Sequence, residues 1–384
     1  MDFRNRHIVH LDLDTFFISC QRLIDSSLIG KPVIVGGAAE RGVVASCSYE
    51  ARYYGVHSAM PMRMALRLCP DAVVVKGDMD LYARKSEDVT NMIAESAPLY
   101  EKSSIDEFYL DLTGMDRYFG CFKWTSELKQ RIEKETGLPM SFGLSPTKTV
   151  SKIATGEAKP HGQLQIPFEQ VRPFLDPLPV QKIPMIGTST YKTLSRVGIR
   201  TIRTLAGIPE EVLVRLLGKN GSTLYRKANG IDPAPVIQYH ERKSISSERT
   251  FMRDTMNIVQ MKSLLVQMVE NLCYQLRSEQ KVASVIAVKI RYSNFDTHVQ
   301  QAKVAYTSCD HVLIKKALEL FDKVYERRMM IRLVGVKLSG LVMGNYQINV
   351  FDDITIINLY QAMDRVKNRF GKHAVQRASS LANM

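Results

Sequence analysis

Cysteine is scarce in this chain and widely scattered. The six residues, Cys20, Cys47, Cys69, Cys121, Cys273 and Cys309, include no Cys-x-x-Cys pair. That spacing excludes a zinc knuckle and a disulfide framework as organising devices, and the thiols are expected to be reduced and mainly buried. Long apolar runs are missing as well: none reaches the roughly 18 residues of a membrane span. The opening Met-Asp-Phe-Arg-Asn-Arg lacks the apolar centre of a secretory leader, so a cytoplasmic protein with no membrane partner is expected. Acid is what the second half has little of. Residues 1–180 balance 21 Lys+Arg against 23 Asp+Glu, whereas 181–240 hold 9 against 3, 241–344 hold 17 against 10 and 345–384 hold 5 against 3. The net charge of +13 therefore lies beyond residue 180. A near-neutral half followed by a basic half fits a catalytic body joined to a polyanion grip, although a solvated basic surface would give the same count.

At 384 residues and 45% hydrophobic content, the chain exceeds one ordinary core and predicts two to four domains. Periodicity predicts strands over 32–35, 42–47, 72–75, 99–103, 105–112 and 140–144, and helices over 48–55, 61–69, 78–97, 122–136 and 148–158. In the helix at 61–69, Met62, Ala65, Leu66 and Leu68 are the core candidates, and the helix at 122–136 carries the only tryptophan, Trp124. This alternation reads as an α+β layer with helices on one face of a sheet. Pro173, Pro177, Pro179 and Pro184 then mark a boundary. Beyond it, 190–197, Gly198 and 201–206 follow a helix-hairpin-helix pattern, with a poorer copy around 217–221. Backbone amides at such a turn, Gly187 among them, would hold a DNA phosphate without reading a base. Lys182, Lys192, Arg196, Arg200 and Arg203 argue against a plain helical connector. An extended linker is expected at 232–239. The order after it is β-α-β-β-α-β, with Lys289 and Arg291 on one sheet face suited to a phosphate backbone. An amphipathic helix over 357–370 and a frayed end from His373 complete the chain.

Two short stretches carry chemistry. Ile8 to Phe17 is an apolar strand that ends in Asp12 and Asp14, and Ser104-Ile105-Asp106-Glu107 opens a second apolar strand. If the two strands are neighbours, Asp12, Asp106 and Glu107 meet at one end of a sheet. Carboxylates that close repel, and one of them would stay protonated unless a cation joins them. All-oxygen ligation of this kind suits Mg²⁺, which keeps several waters and takes further ligands from substrate phosphates. Strict alternation, however, puts Asp106 and Glu107 on opposite faces and Asp12 and Asp14 on the same one. Asp14 therefore stays open as a ligand. On the helical turn at 48–55, Tyr49 and Arg52 share a face. One guanidinium and one phenol there make a triphosphate clamp or a solvated face.

The pair Asp-x-Asp-x-Phe-Phe and Ser-Ile-Asp-Glu, in that order and about ninety residues apart, resembles the Y-family DNA polymerases, in particular their bacterial branch. Tyr49-Glu50-Ala51-Arg52, Ala158-Lys159-Pro160-His161-Gly162 and Arg242-Lys243-Ser244 are similar to further motifs of that family, and the resemblance runs from Arg6 to about Met343. It implies an α+β right-hand polymerase: palm (1–15 and 78–167), small fingers (16–77), helical thumb (168–236), linker (237–245), little finger (246–344) and a tail (345–384). It implies low-fidelity, translesion synthesis from dNTPs on primer-template DNA, with no segment left over for a proofreading nuclease. Two Mg²⁺ ions, replaceable by Mn²⁺, would lie about 3.5–4 Å apart. Asp12, Asp106, Glu107 and the Leu13 carbonyl would hold them. Ser46, Tyr49, Arg52 and Lys159 would bind the triphosphate. Phe17 would lie under the sugar and reject a ribose 2′-hydroxyl by clash. Val43, Ser58 and Ala59 would lie over the nascent base pair and leave it roomy. Gly187, Lys243, Lys289 and Arg291 would contact DNA. Gln347, Val350 and Phe351 resemble the short peptide that docks on a sliding clamp, a tether that raises local concentration at the primer end. A monomer is expected. A nucleotidyl cyclase with a similar acidic palm would need no helix-hairpin-helix and no second basic domain. A non-catalytic DNA-binding scaffold would not need all of Asp12, Asp106, Glu107, Tyr49, Arg52 and Lys159.

Overall fold

A computed structural model describes residues 5–38, 41–117, 120–239, 241–326, 329–344, 354–371 and 374–380. The chain divides into two compact units, Met1–His240 and Glu241–Met384.

In the first unit, β1 (Ile8–Leu13) runs into a helix, Phe16–Ile24. Next come β2 (Val33–Gly36), β3 (Val44–Cys47) and β4 (Val73–Val75), which form a small sheet in the order β3-β2-β4. It packs with the helices Tyr49–Tyr53 and Met62–Leu68 around Ile34, Val44, Ala51, Met62 and Ala65. Of the expected core positions here, Leu66 is half-buried and Leu68 is exposed. Seven residues hold only two turns of helix, so a fourth apolar position falls outside the buried stripe.

The main sheet combines β5 (Tyr100–Lys102), β6 (Glu107–Asp111), β7 (Met140–Ser145) and β8 (Gln163–Gln165) with β1, in the order β5-β6-β1-β7-β8. β1 is central and antiparallel to both neighbours. Its alternation decides what lies on each face. Val9, Leu11 and Leu13 are fully buried with Val89 and Ile93 of helix Met79–Ser96 and Leu128 and Ile132 of helix Cys121–Thr136. Each such side chain contributes about 1.5–3 kcal/mol. The opposite face, with His10 and its β7 partner Gly143, is covered by helix Lys148–Ala158. Helices thus lie on both faces, not on one as the sequence pattern suggested. The reason is Gly143: a Cβ there would stand 2.3 Å from the Ser151 carbonyl oxygen and 2.7 Å from the Thr155 nitrogen. Only a bare backbone lets that helix so close.

The far side of helix Lys148–Ala158 supplies Val150 and Ile153 to a third core. Leu175, Val180, Ile183, Leu194, Ile202, Leu205, Leu213 and Leu224 complete it. Helices Thr188–Arg196 and Ile202–Ala206 flank Gly198 (φ 80°), and Glu210–Leu217 and Lys219–Ala228 meet at Gly218 (φ 63°). Both hairpin expectations hold in outline. The stretch after them is irregular but not free. Val236 packs on Ile8 and Tyr109, the Ile237 N–H donates to Glu101 (2.7 Å), and Thr149 Oγ1 donates to Asp232 (2.6 Å).

The second unit is a four-stranded antiparallel sheet of β9 (Ser244–Thr255), β10 (Lys281–Tyr292), β11 (Thr297–Thr307) and β12 (Ile331–Met343), in the order β11-β10-β12-β9. Helices Ile258–Ser278 and Asp310–Val324 bury Leu265, Val269, Leu313 and Phe321 against Ile286, Val288, Val334 and Val336. A third helix, Ile354–Phe370, docks on this unit. Arg277 forks onto Asp364 (2.6 and 2.9 Å) and also binds Asp310 (2.6 Å), while the buried Tyr360 hydroxyl receives the His311 N–H (3.1 Å). The tail was expected to fray from His373. Among its described residues, Arg377 instead pairs with the buried Glu270 at 3.1 Å. Among the described residues no helix is long and apolar enough to cross a membrane. Five cysteines are buried, Cys309 is half-buried, and none of the six forms a disulfide.

Candidate active site

The acidic cluster follows from where β1 and β6 stop. β6 begins at Glu107, which faces Asp12 across the ladder, so these two share the face covered by helix Lys148–Ala158. Asp106 precedes the strand, and its carbonyl accepts the Leu13 N–H at 3.0 Å. Alternation does not bind a residue outside the ladder, which resolves the conflict between Asp106 and Glu107. β1 likewise ends at Leu13. The chain turns at Asp14, Thr15 adopts φ 42°, and the helix from Phe16 begins.

A cleft of about 140 Å³ opens here, lined by Asp12, Leu13, Thr15, Phe16, Phe17, Ala45, Ser46, Arg52, Ser58, Asp106 and Lys159. Four expected residues stand outside that lining. The Glu107 carboxylate accepts from Lys152 Nζ at 2.5 Å on both oxygens. Tyr49 lies under the Arg52 guanidinium (5.0 Å to the ring centre), but its hydroxyl donates to Asp14 Oδ1 at 3.3 Å. A phenol has one proton, and here it goes to Asp14, which is not among the lining residues. Val43 and Ala59 are exposed, the latter at φ 67°.

Electrostatics set the two facing carboxylates apart. Burial pushes the Asp12 carboxyl up to about 7; Lys159, which donates to it, lowers it, and Glu107 and Asp106 raise it again. Burial would likewise raise Glu107, but its contacts with His10 and Lys152 outweigh that and hold it well below the ordinary range. The Lys152 pair carries this, because His10 Nε2 lies 3.9 Å from Glu107 and makes no hydrogen bond. His10 itself is fully buried and held down to about 4, mainly by burial. Among the described residues, no three His, Cys, Asp or Glu side chains already surround one point at ligand distance. The donor set nonetheless fits a hard divalent cation: three half-buried carboxylates that raise one another's cost of ionisation, with a cleft beside them for phosphate oxygens.

Sequence reasoning left Asp14 open as a ligand without its partners, and missed Lys152 and His10 beside Glu107 and Tyr82, whose ring stacks on Phe17. Lys152 left a signal, since it lies four residues after Lys148 on the helix that leads to Lys159. Of the DNA-contact candidates, Gly187 is the exposed cap residue of helix Thr188–Arg196, and Lys243 is exposed. Lys289 pairs with Glu248 (2.5 Å), and Arg291 donates to Thr297 (2.9 Å). Gln347, Val350 and Phe351 lie outside the described residues.

The impB/mucB/samB family matches residues 11–156, which hold the whole acidic cluster, and its C-terminal domain matches residues 242–350. The chain belongs to the Y family of DNA polymerases. Among its relatives, a protein named DNA polymerase IV from Dehalococcoides mccartyi (strain CBDB1) is 36% identical over 376 residues, 97% of this chain and 96% of that one. Another of that name, from Treponema denticola, is 36% identical over 334 residues, 86% of this chain and 85% of the relative. A solved Y-family DNA polymerase chimera superposes with a TM-score of 0.75 at 24% identity, covering 88% of this chain and 100% of its own. That likeness shows the multidomain α+β fold of the Y family, with palm, fingers, thumb and little finger.

Proposed function

We propose that this Y-family member is a DNA-directed DNA polymerase that extends a primer from dNTPs on a template, at low fidelity and past template damage, without proofreading. One observation carries the reading: Asp12 and Glu107 face each other at the end of a ladder, beside a cleft whose walls bear Ser46, Arg52 and Lys159. Neither a cyclase nor a scaffold accounts for that arrangement together with the basic second unit.

The reaction joins the primer 3′-oxygen to the α-phosphorus of the dNTP and expels pyrophosphate. Asp12, Asp106, Glu107 and the Leu13 carbonyl are the residues that would hold Mg²⁺, with Mn²⁺ able to replace it. When bound, such ions lower the pKa of the 3′-hydroxyl and neutralise charge on the phosphates. Arg52 and Lys159 grip phosphate oxygens from two walls of the cleft, which fixes the α-phosphorus in line. Ser46 adds a hydroxyl. Tyr49 joins them once its proton turns from Asp14. Phe17 forms the floor under the sugar. Val43, Ser58 and Ala59 present small, exposed side chains to the base pair, so a distorted template base meets little resistance.

The proposed division is palm (1–15, 78–167), fingers (16–77), thumb (168–236), linker (237–245), little finger (246–344) and tail (345–384); the second unit's own core supports its last boundaries, whereas Phe16, Ile18 and Val33 of the fingers pack in the palm core and Val150 and Ile153 of the palm pack in the thumb core. Backbone amides at Gly187 and the side chains of Lys243, Lys289 and Arg291 serve as phosphate contacts. Gln347, Val350 and Phe351 dock on a sliding clamp, and the enzyme acts as a cytoplasmic monomer. Primer extension with Mg²⁺ tests the reading: wild type extends, while Asp106→Ala and Glu107→Ala bind DNA and do not. A wild type that binds primer-template and makes no product overturns it.

A further inference from the structure

Asp14 is 2% exposed, and its carboxylate accepts three hydrogen bonds from groups that are not metal ligands. Oδ2 accepts from Ser141 Oγ (2.8 Å) and from the His161 N–H (2.7 Å). Oδ1 accepts from the Tyr49 hydroxyl (3.3 Å) and lies 3.8 Å from Lys159 Nζ. A carboxylate offers about four lone-pair directions; three accept these hydrogen bonds, and the Lys159 ammonium stands beside the carboxylate as an ion pair. Asp14 does not line the cleft that Asp12 and Asp106 share.

The other partners converge on the same short turn. Lys129, itself buried, donates to the His161 carbonyl at 2.8 Å, and Glu133 takes the His161 ring at 3.0 Å. Ser141 Oγ also accepts the Gly162 N–H at 3.2 Å. His161 is thus held at its N–H, its carbonyl and its ring, in a left-handed conformation of φ 54° that a histidine adopts only when its surroundings impose it. Lys159 is two residues earlier.

Resting on the polymerase reading above, we infer that Asp14 is a positioning residue for the incoming triphosphate: it pins the turn that aims Lys159 and holds the Tyr49 hydroxyl, and it takes no metal. Its buried charge is met by the turn's own N–H, by two hydroxyl donors and by the nearby Lys159 ammonium, a set that a divalent ion would have to displace. Ser141 and Lys129 act with it from the sheet and from the neighbouring helix. A shift of this turn by about 1 Å would misplace Lys159 against the phosphates, a displacement that can cost about 100-fold in rate.

The test compares wild type, Asp14→Ala, Asp14→Asn and Asp12→Asn. Affinity for a fluorescent dNTP is read on a dideoxy-terminated primer-template, and Mn²⁺ binding is read by EPR. Asp14→Ala should weaken nucleotide binding about 100-fold while keeping the Mn²⁺ sites that Asp12→Asn loses. Asp14→Asn retains one acceptor oxygen and should recover to within about tenfold of wild type. Loss of Mn²⁺ binding in Asp14→Ala, equal to that in Asp12→Asn, overturns the inference, as does unchanged nucleotide affinity. Should Asp14→Ala fail to fold, Ser141→Ala removes one hydroxyl from the same network. A severalfold loss of nucleotide affinity there supports the inference, and no change overturns it. The polymerase reading fails separately, if wild type itself neither binds the dNTP nor extends a primer.

Discussion

Phe17 lies flat against Tyr82, with ring centres 4.3 Å apart and planes 12° from parallel. Tyr82 is fully buried, and its hydroxyl accepts from Gln21 at 2.9 Å, so it is a fixed support. The floor under the proposed sugar site is therefore a braced ring, not one free to swing aside. Phe17→Ala or Phe17→Val should raise ribonucleotide incorporation by about 100-fold, the upper range for removing a steric block. Tyr82→Leu leaves Phe17 in place but unsupported and should raise it by about tenfold. Single-nucleotide insertion of matched dNTP and rNTP measures both; unchanged sugar discrimination in Phe17→Ala rejects the role.

Asp12 and His10 set opposite pH slopes in the metal-free protein. Between 3.8 and about 7 the folded state keeps a proton on Asp12 that the unfolded chain has released, so this residue lowers stability as pH rises. Between about 4 and 6.5 the unfolded chain protonates its histidine while folded His10 stays neutral, so this residue lowers stability as pH falls. In chelator at pH 8, Asp12→Asn should melt a few degrees above wild type, for a gain of about 1–3 kcal/mol. Added Mg²⁺ should raise the wild-type midpoint and leave Asp12→Asn where it was. His10→Gln should lose part of the decline on the acid side. Melting curves at pH 5, 6.5 and 8 give all three results.

Lys289 is paired with Glu248 on the same sheet. If that face meets phosphate, Lys289→Ala should weaken DNA binding alike for all sequences and reduce the slope of log affinity against log salt by about 1. Glu248→Gln releases the lysine and should tighten binding at low salt. Titration of primer-template between low and moderate salt decides it, and identical slopes for wild type and Lys289→Ala would remove this face from the DNA path.

Gly143→Ala should cost about 1–3 kcal/mol or more, because the new methyl group meets helix backbone and not a side chain that can move. Since that helix carries Lys152 and leads to Lys159, primer extension should fall even at temperatures where the variant is folded. Urea denaturation and extension assays on the same preparation separate the two effects. A variant as stable and active as wild type would contradict the packing described.

Much of this was legible because local pattern and tertiary role coincide. The strands bearing Asp12 and Glu107 were legible, since apolar alternation and an acidic terminus are visible within a few residues, but their bounds were not: the first stops at Leu13 and gives way to a helix from Phe16. Asp106 looked misplaced only because its strand was assumed to start two residues early, at Ile105 and not Glu107. Asp14 was not legible: its partners Ser141 and His161 lie 127 and 147 positions away, and no spacing rule reports such a meeting. Helix Lys148–Ala158 on the second sheet face was hidden in a single glycine, whose meaning depends on what approaches it. Leu68 failed the opposite way, apolar in a helical stripe yet exposed.

The arginine fork that fastens helix Ile354–Phe370 has a practical bearing on deletions. Gly344 is fixed to Gln280 on one side of the proposed clamp peptide, and Asp364 is fixed to Arg277 on the other. Cutting the chain after residue 344 would remove the peptide and also strip a buried guanidinium of one carboxylate while uncovering the helix beneath it. Such a shortened enzyme would confound loss of clamp docking with a weakened DNA-gripping unit, so exchange of Gln347 and Phe351 alone is the cleaner way to separate recruitment from synthesis.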